Sequence, residues 1–212
     1  MEDITFNRCL KPLTATGKPI CVTFSDASEE AYGAVSYIRW KLTNGAFESR
    51  LIAAKSKVKP KNKITLVRME LNGAVIASRL QEFIRQQVRY EFEKTIFLVD
   101  SAIVHAMTKK ESYRFKTYTA VRIGEIQTKT NPDDWHWLES HNNVADWVTR
   151  PKPPNEIFAN SAWQRGPAFL TKPESEWPII QSPQNLDLPE QKAEAVVMIA
   201  ESRTIHCCRD LI

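Results

Sequence analysis

Residues 95–101 have the sequence Thr-Ile-Phe-Leu-Val-Asp-Ser. The run from Thr95 to Val99 is of strand length and almost wholly apolar, and Asp100 and Ser101 end it abruptly. A strand with one solvated face alternates apolar and polar residues, whereas a strand covered on both faces does not. The segment therefore predicts the buried central strand of an α/β sheet, with a carboxylate at its carboxyl end.

The sequence before this strand predicts an antiparallel meander of three strands. A short apolar strand over 20–24 ends at Ser25-Asp26, and the residues over 31–42 and about 47–54 favour strands. Asn44-Gly45 lies between the second and third strands and supplies the two positive-φ residues of a tight hairpin.

The remaining periodicity predicts helices around this sheet. Residues 67–84 carry a wide apolar stripe at three- and four-residue steps, which indicates a helix buried against a sheet. After the central strand we expect a short helix over 101–107, a helix over about 117–129, a strand over 134–138 and a final helix from about Asn143. This order of elements predicts a mixed-sheet α/β domain of about 150 residues.

Composition indicates an ordinary globular protein. The chain has 212 residues, of which 42% are hydrophobic and 25% charged. The longest apolar run of the tail, 195–200, is far shorter than the roughly 20 residues of a membrane span. The start is acidic where a secretory signal is basic, and the four cysteines form no C-x-x-C pair. We therefore expect a soluble intracellular protein with no signal peptide, no transmembrane segment and no membrane partner.

Charge and proline content change after residue 150. Residues 1–150 hold 23 Lys/Arg against 17 Asp/Glu, or +6, whereas residues 151–212 hold 6 against 8, or −2. Four prolines precede this point and eight follow it. A basic body with a proline-rich tail favours a domain that faces a polyanion, followed by a linker. We predict an N-terminal connection over 1–18, an α/β domain over 19–150, a proline- and tryptophan-rich linker or strap over 151–189, and a C-terminal helix or disordered tail over 190–212.

Four acidic residues stand out by their positions. Asp26 and Asp100 end strands, Glu70 lies in the first predicted helix, and Asp146 lies near the start of the last one. Ligands gather at the carboxyl ends of strands in α/β sheets. Crowded carboxylates repel, so their convergence requires a cation, and hard oxygen ligands favour Mg²⁺ or Mn²⁺ over zinc. Acidic residues at helix N-termini are a simpler explanation for Asp100 and Asp146, but a poor one for Glu70 on its mostly apolar helix.

A series of lysines follows the third strand. Lys55, Lys57 and Lys59, and then Lys61 and Lys63, alternate with other residues. If this segment is extended, period two places all five on one face, as a phosphate track beside Glu70. A solvated loop is the simpler alternative.

Four short motifs occur in chain order on these elements. They are Phe-Ser-Asp-Ala-Ser over 24–28, Arg-Met-Glu-Leu over 68–71, Leu-Val-Asp-Ser over 98–101 and Asn-Val-Ala-Asp-Trp-Val-Thr-Arg over 143–150. Together they resemble the ribonuclease H motifs of long-terminal-repeat retroelements, in particular the polyprotein of Pao/BEL-type retrotransposons. Residues 163–170 and Trp177-Pro178 are similar to the start of the connection that leads from ribonuclease H toward integrase in those polyproteins.

The resemblance implies a ribonuclease H-like fold, with a five-stranded mixed sheet flanked by helices and a proline-rich C-terminal extension. It implies an endoribonuclease that hydrolyses the RNA strand of RNA–DNA hybrids during reverse transcription. Asp26, Glu70, Asp100 and Asp146 would hold two Mg²⁺ ions, with Mn²⁺ as the alternative; one ion activates a water and the other stabilises the departing 3′ oxygen. The implied partners are the hybrid and the reverse transcriptase and integrase segments of the same polyprotein, in the cytoplasm or a virus-like particle.

The resemblance also suggests auxiliary residues. Ser28 is a candidate for substrate binding beside Asp26, and Lys55, Lys57 and Lys59 are candidates because of their alternation in the sequence. Related retroviral enzymes carry a histidine about ten positions before the final aspartate, whereas His141 precedes Asp146 by only five, so a loop or capping role is an equal alternative. The stretch 101–116 is too short for the extra basic helix of some cellular homologues, which predicts weak hybrid binding by the isolated chain.

Other classes fit the motifs less well. Integrase cores place the glutamate last of the acidic residues, whereas here it is second. A proofreading-type exonuclease has Asp-x-Glu on its first strand, and Ser28 stands at the position of that glutamate. An aspartic protease has Asp-Thr/Ser-Gly, and neither Asp26 nor Asp100 is followed by such a glycine. A different class stays open: a catalytically inactive or domesticated retrotransposon fragment that acts as a nucleic-acid-binding or tethering module.

Overall fold

A computed structural model describes residues 9–150, 152–153, 156–158, 160–181, 183 and 186–192. The strands are β1 (Ala15–Ala27), β2 (Ala31–Leu42), β3 (Phe47–Val58), β4 (Lys94–Val99), β5 (Trp135–Leu138) and β6 (Ile179–Ile180). The helices are α1 (Leu66–Gln87), α2 (Ala102–Thr108), α3 (Thr117–Lys129), α4 (Asp146–Thr149) and α5 (Ala162–Arg165). The predicted tail over 190–212 falls almost wholly outside the described residues.

The strands form one mixed sheet in the order β3-β2-β1-β4-β5-β6. β1 is antiparallel to β2 and parallel to β4, and β4 is parallel to β5, so the apolar segment from Thr95 to Val99 lies between two parallel neighbours. The prediction of a buried central strand is confirmed. The expected mixed α/β class is confirmed. The expected count of five strands is wrong by one, because Ile179–Ile180 pairs antiparallel with Leu138 and Trp137. Two residues are too few to produce a strand pattern in a sequence.

Several elements differ in length from their predictions. β1 and β3 extend beyond their apolar segments, because backbone pairing with β2 continues through polar residues such as Thr16 and Lys57. The final helix, expected from about Asn143, has only four residues in α4. The Asn143 side chain instead accepts a hydrogen bond from the Ala145 amide at 3.1 Å. This contact forms a non-helical turn before α4.

Helices cover one face of the sheet. α1, α2 and α3 pack there around a core that includes Leu71, Ile123 and Trp135. Phe97 of β4 stacks on Trp135 of β5, with ring centroids 4.4 Å apart. Among the described residues, no helix has both the length and the apolar character needed to cross a bilayer.

The proline- and tryptophan-rich segment covers the opposite face. Phe169, Leu170 and Trp177 are buried there with Phe24 and Tyr37 of the first two strands. Two polar contacts fix the segment as well. The Tyr37 hydroxyl donates to the Trp163 carbonyl at 2.8 Å, and the Arg39 guanidinium donates to the Leu170 carbonyl at 2.7 Å. Residues 161–180 therefore complete the second core, while the boundaries of the four predicted segments stay predictions.

A glycine allows α1 to approach the end of β1. A Cβ at Gly73 would lie 2.9 Å from the Asp26 carbonyl oxygen, closer than real Cβ contacts. Gly73 thus lets the helix that carries Glu70 pack directly on the strand that ends at Asp26.

We predict that Gly73→Ala destabilises the protein by about 1 to 3 kcal/mol, because the added methyl group overpacks a backbone contact. Gly124→Ala is the matched control, since its Cβ would meet Ser112 at 3.7 Å, an ordinary contact, within α3. That change should raise the free energy of unfolding by about 0.5 to 1 kcal/mol. Urea denaturation measures both, and equal effects of the two substitutions would contradict this account of Gly73.

We also predict that Leu170→Ala lowers the free energy of unfolding by about 2 to 5 kcal/mol, because Leu170 is fully buried in the second core. Ile180→Ala should cost much less, since Ile180 is 37% exposed at the sheet edge. Thermal and urea unfolding of both variants test this. Similar small effects would mean that the segment does not stabilise the sheet in solution.

Candidate active site

Two aspartates stand side by side at the carboxyl edge of the sheet. Ser25 of β1 pairs with Val99 of β4, so the next residues, Asp26 and Asp100, are adjacent where these parallel strands end. Burial raises the pKa of both carboxyl groups, and the charge of Asp100 adds to the burial of Asp26, whose pKa reaches about 6. Both groups therefore lie in a desolvated site where negative charges repel.

Glu70 joins this pair from α1. The Ser101 hydroxyl, which also caps α2, donates a hydrogen bond to Glu70 Oε2 at 2.6 Å. Burial raises the pKa of Glu70, and the charges of Asp100 and Asp26 raise it further. Three of the four predicted carboxylates thus form one electrostatically coupled group.

Asp146 is connected to the other carboxylates through a cation. The Arg150 guanidinium forms an ion pair with Asp146, four residues earlier, and its Nη1 lies 3.5 Å from Asp26 Oδ2. Lys152 Nζ lies 3.3 Å from Asp146 Oδ2. The charge of Arg150 partly offsets the rise in pKa that burial causes in Asp26 and Asp100. The side chain of Arg150 therefore acts as the counter-ion of the site.

The donors suit a hard cation, but they are not arranged as its ligands in this conformation. Across the described ranges, no three His, Cys, Asp or Glu side chains form a group that could hold a metal ion. All four predicted ligands are carboxylates, the type that Mg²⁺ prefers. Arg150 shows that the carboxylates accept a positive group at this position. The donor set therefore fits Mg²⁺ in the place of the guanidinium, which requires that the Arg150 side chain turns aside.

Hydrogen bonds tie α4 and the loop before it to the end of β1 and the turn that follows. The Thr149 hydroxyl donates to Asp26 Oδ2. The Asn143 side-chain amide donates to the Ser25 carbonyl at 2.9 Å, and the Ser28 hydroxyl donates to the Thr149 carbonyl at 2.9 Å. These contacts bring Asp146 and Arg150 to the carboxylate group although both are distant from it in sequence.

The sequence predictions did not give Arg150, Thr149 or Ser101 a role. For Arg150 a signal was present, because it follows Asp146 by four residues, a spacing that brings opposite charges together on a helix. For Thr149 and Ser101 there was no comparable signal, since their hydroxyl groups matter only through contacts made in the folded chain.

The predicted substrate-binding residues are distributed around this site. Ser28 is buried, and its hydroxyl hydrogen is engaged by Thr149, which is a positioning contact. Lys55 and Lys57 lie in β3, whereas Lys59 follows its end, and all three are exposed. Because the strand stops at Val58, the alternation does not continue over Lys61 and Lys63 as an extended face. Substrate binding by these residues stays a prediction.

His141 lies in the short turn before Asn143. Its side chain is 70% exposed and contacts Glu139 at 3.3 Å and the Asn142 side-chain amide at 3.0 Å. The neighbouring residues Ser140 and Asn143 hydrogen-bond Asp100, which places His141 close in sequence to the carboxylate group. An auxiliary role for His141 stays a prediction.

We predict that Asp26→Asn stabilises the metal-free protein at pH 7 by about 1 to 3 kcal/mol. The pKa of Asp26 is about 6 in the folded chain, against roughly 3.9 when unfolded. Between these values the folded state holds the proton more tightly, so the wild-type protein loses stability as the pH rises from about 4 to 6. The neutral amide removes this penalty.

Urea unfolding at pH 4 and at pH 7 measures the effect. Asp133→Asn is the control, because this side chain is 89% exposed and its loss should change stability little at either pH. A destabilised Asp26→Asn protein at pH 7 would show that the folded state does not raise the pKa of Asp26.

The chain is similar to several solved structures and matches one family model. No curated protein matches the chain. Among solved structures, the chain is similar to the N-terminal RNase H domain of a Mycobacterium tuberculosis protein fused to maltose-binding protein (14% identity, 63% of this chain and 91% of that chain, TM-score 0.41). It is also similar to RNase H1 from the archaeon Halobacterium salinarum (14% identity, 59% and 88%, TM-score 0.32). A third similar structure is LC11-RNase H1 in complex with RNA/DNA hybrid (16% identity, 60% and 89%, TM-score 0.34).

The family model described as Pao retrotransposon-like RNaseH-like domain matches residues 1–101. This region contains Asp26, Glu70 and Asp100, the three carboxylates that the structure couples. The ribonuclease H-like fold expected from the motifs is thereby confirmed, with one more strand than expected. The chain is thus similar to the Pao retrotransposon-like RNaseH-like domain family over residues 1–101.

Proposed function

We propose that this chain is a retroelement ribonuclease H, an endoribonuclease that hydrolyses the RNA strand of RNA–DNA hybrids during reverse transcription. One observation carries the proposal: Asp26, Glu70 and Asp100, distant in sequence, meet in a desolvated site. There the charge of Asp100 raises the pKa of Asp26, and the charges of both raise the pKa of Glu70. Structural stability alone gives no reason to bury three like charges together. The RNaseH-like family model that matches residues 1–101 supports a nuclease.

The residues of the site have distinct proposed roles. Asp26, Glu70, Asp100 and Asp146 would hold two Mg²⁺ ions, or Mn²⁺, which when bound supply an activated water and stabilise the departing 3′ oxygen. Thr149 and Ser101 fix the orientation of Asp26 and Glu70 by donating hydrogen bonds to them. Arg150 pairs with Asp146 and Asp26, and it would turn away toward solvent, where half of its side chain already lies, to admit the metal ions.

The substrate follows from what such a site can distinguish. Hydrolysis of only the RNA strand requires contacts to the 2′-hydroxyl and to the shape of the hybrid, not to base edges. The net +6 charge of residues 1–150 suits a phosphate backbone as the partner. We propose that the domain works beside reverse transcriptase and integrase segments of one polyprotein, in the cytoplasm or a virus-like particle.

One observation favours a second candidate function. Arg150 pairs with Asp146 and lies 3.5 Å from Asp26, and the described residues show no ready set of metal ligands. A domesticated fragment that only binds or tethers nucleic acid would also have this arrangement. The two candidates differ in one respect, because only the enzyme cleaves the hybrid that it binds.

Cleavage of a labelled RNA–DNA hybrid in the presence of Mg²⁺ tests the proposal. We expect the wild-type chain to degrade the RNA strand and Asp100→Asn to lose on the order of 100-fold or more of that activity, because one metal ligand becomes neutral. Asp133→Asn, a surface carboxylate, is the matched control and should keep wild-type activity. Binding without cleavage by the wild-type chain would favour the tethering module, and equal RNA loss with Asp100→Asn would exclude this site as its source.

A further inference from the structure

The last described segment, 186–192, folds back onto the helical face of the domain. Leu188 is 5% exposed in the core that α1, α2 and α3 share with the sheet. The Lys116 amide donates to the Glu190 carbonyl at 2.8 Å, and the Lys192 amide donates to the Arg114 carbonyl at 2.8 Å. The segment is therefore held by both apolar packing and backbone pairing.

Glu190 uses this position to neutralise one arginine. Arg68 Nε and Nη2 each lie 2.7 Å from Glu190 Oε1, and the Thr119 hydroxyl donates to Oε2 at 3.1 Å. Thr119 is 1% exposed, so its hydroxyl is directed into the contact and not into solvent. Within the described part of the chain, Glu190 is the one non-glycine residue with a positive φ, 66°, a conformation that side chains rarely adopt. The ion pair and the flanking backbone bonds hold it there.

Arg68 borders a strongly basic groove. The groove, about 540 Å³ in volume, lies between α1, α3 and the residues after β3. Of the described residues that line it, Glu125 is the single acidic one and five are cationic, namely Lys57, Lys63, Arg68, Arg79 and Arg122. Arg79 pairs with Glu125 at 2.6 Å, and the guanidinium groups of Arg68 and Arg122 lie over the Tyr118 ring. A groove of this charge suits a phosphate backbone, whose binding depends on the number of cations that it meets.

The groove and the carboxylate site lie on different sides of α1. Arg68 precedes Glu70 by two residues, which is a rise of about 3 Å along the helix but a turn of about 200° around it. A helix is only about 10 Å across, so the phosphate backbone of a duplex bound at the carboxylates can also reach this groove. At Arg68, that backbone and the Glu190 carboxylate would compete for the same guanidinium.

We propose that segment 186–192 restrains nucleic-acid binding, with Glu190 acting as a built-in competitor of the phosphate backbone for Arg68 in the basic groove. This inference rests on the proposed function for its substrate. It assigns a physical cause within the chain to the weak hybrid binding expected of it. Displacement of Glu190, by a bound strand or by a neighbouring segment that draws the tail away, completes the cationic surface.

Binding without cleavage tests the restraint. The full chain is titrated into a fluorescently labelled RNA–DNA hybrid in EDTA, and anisotropy gives the dissociation constant. We expect Glu190→Gln to bind about three- to tenfold more tightly than wild type, the value of one charge-assisted contact. Asp187→Asn is the matched control, because it removes one negative charge from the same segment without touching Arg68, and it should change affinity less than twofold.

A double substitution separates competition from a general charge effect. In an Arg68→Gln background, the further change Glu190→Gln should give no gain, since the shared partner is absent. Thermal unfolding of each variant shows whether the segment stays folded. Equal affinities for Glu190→Gln and Asp187→Asn, or an undiminished gain in the Arg68→Gln background, would overturn the inference. Because no metal is present, a lack of ribonuclease activity leaves this result unaffected.

Discussion

Repulsion among buried carboxylates is the constraint on which this structure depends. Asp26 and Asp100 are brought together by the parallel pairing of β1 and β4, and α1 adds Glu70, so the fold itself creates an electrostatic cost. A positive charge must offset it, and Arg150 supplies one beside Asp26. Burying like charges together costs stability that a neutral site would not lose, so the position of this arginine bears directly on the stability of the site.

The contacts around the site position the carboxylates despite this repulsion. Gly73 has no Cβ to collide with the Asp26 carbonyl, so α1 packs closely on β1, and Thr149 orients the Asp26 carboxylate by a hydrogen bond. Asn143 anchors the preceding loop to the Ser25 carbonyl, so Asp146 reaches the site from a helix of only four residues. The fold positions its carboxylates through close backbone packing and side-chain hydrogen bonds, and not through long regular elements around each residue.

The sequence was sufficient for those features that depend on local pattern. The apolar run from Thr95 to Val99 predicted the central strand, and the positions of Asp26 and Asp100 at strand ends predicted their meeting. Contacts between distant segments were not predictable in this way. Ile179–Ile180 is a strand only because β5 offers it an edge, and the extended lysine face ends because β3 stops at Val58. The neutralising role of Arg150 depends on a fold that places it beside Asp26 as well as Asp146.

The residues after 150 connect these themes, because they contact both faces of the domain. Phe169 and Leu170 complete the core on one face, where the sheet would otherwise expose Phe24 and Tyr37 to water. Leu188 and Glu190 pack on the opposite face, beside the helix that carries Glu70. The part of the chain after residue 150 therefore both stabilises the sheet and neutralises Arg68. The two contacts differ in burial, because the Arg68 and Glu190 side chains are 33% and 17% exposed whereas Leu170 is fully buried. The ion pair is therefore the contact that the proposed competition with phosphate can reach, while the second core is shielded from solvent.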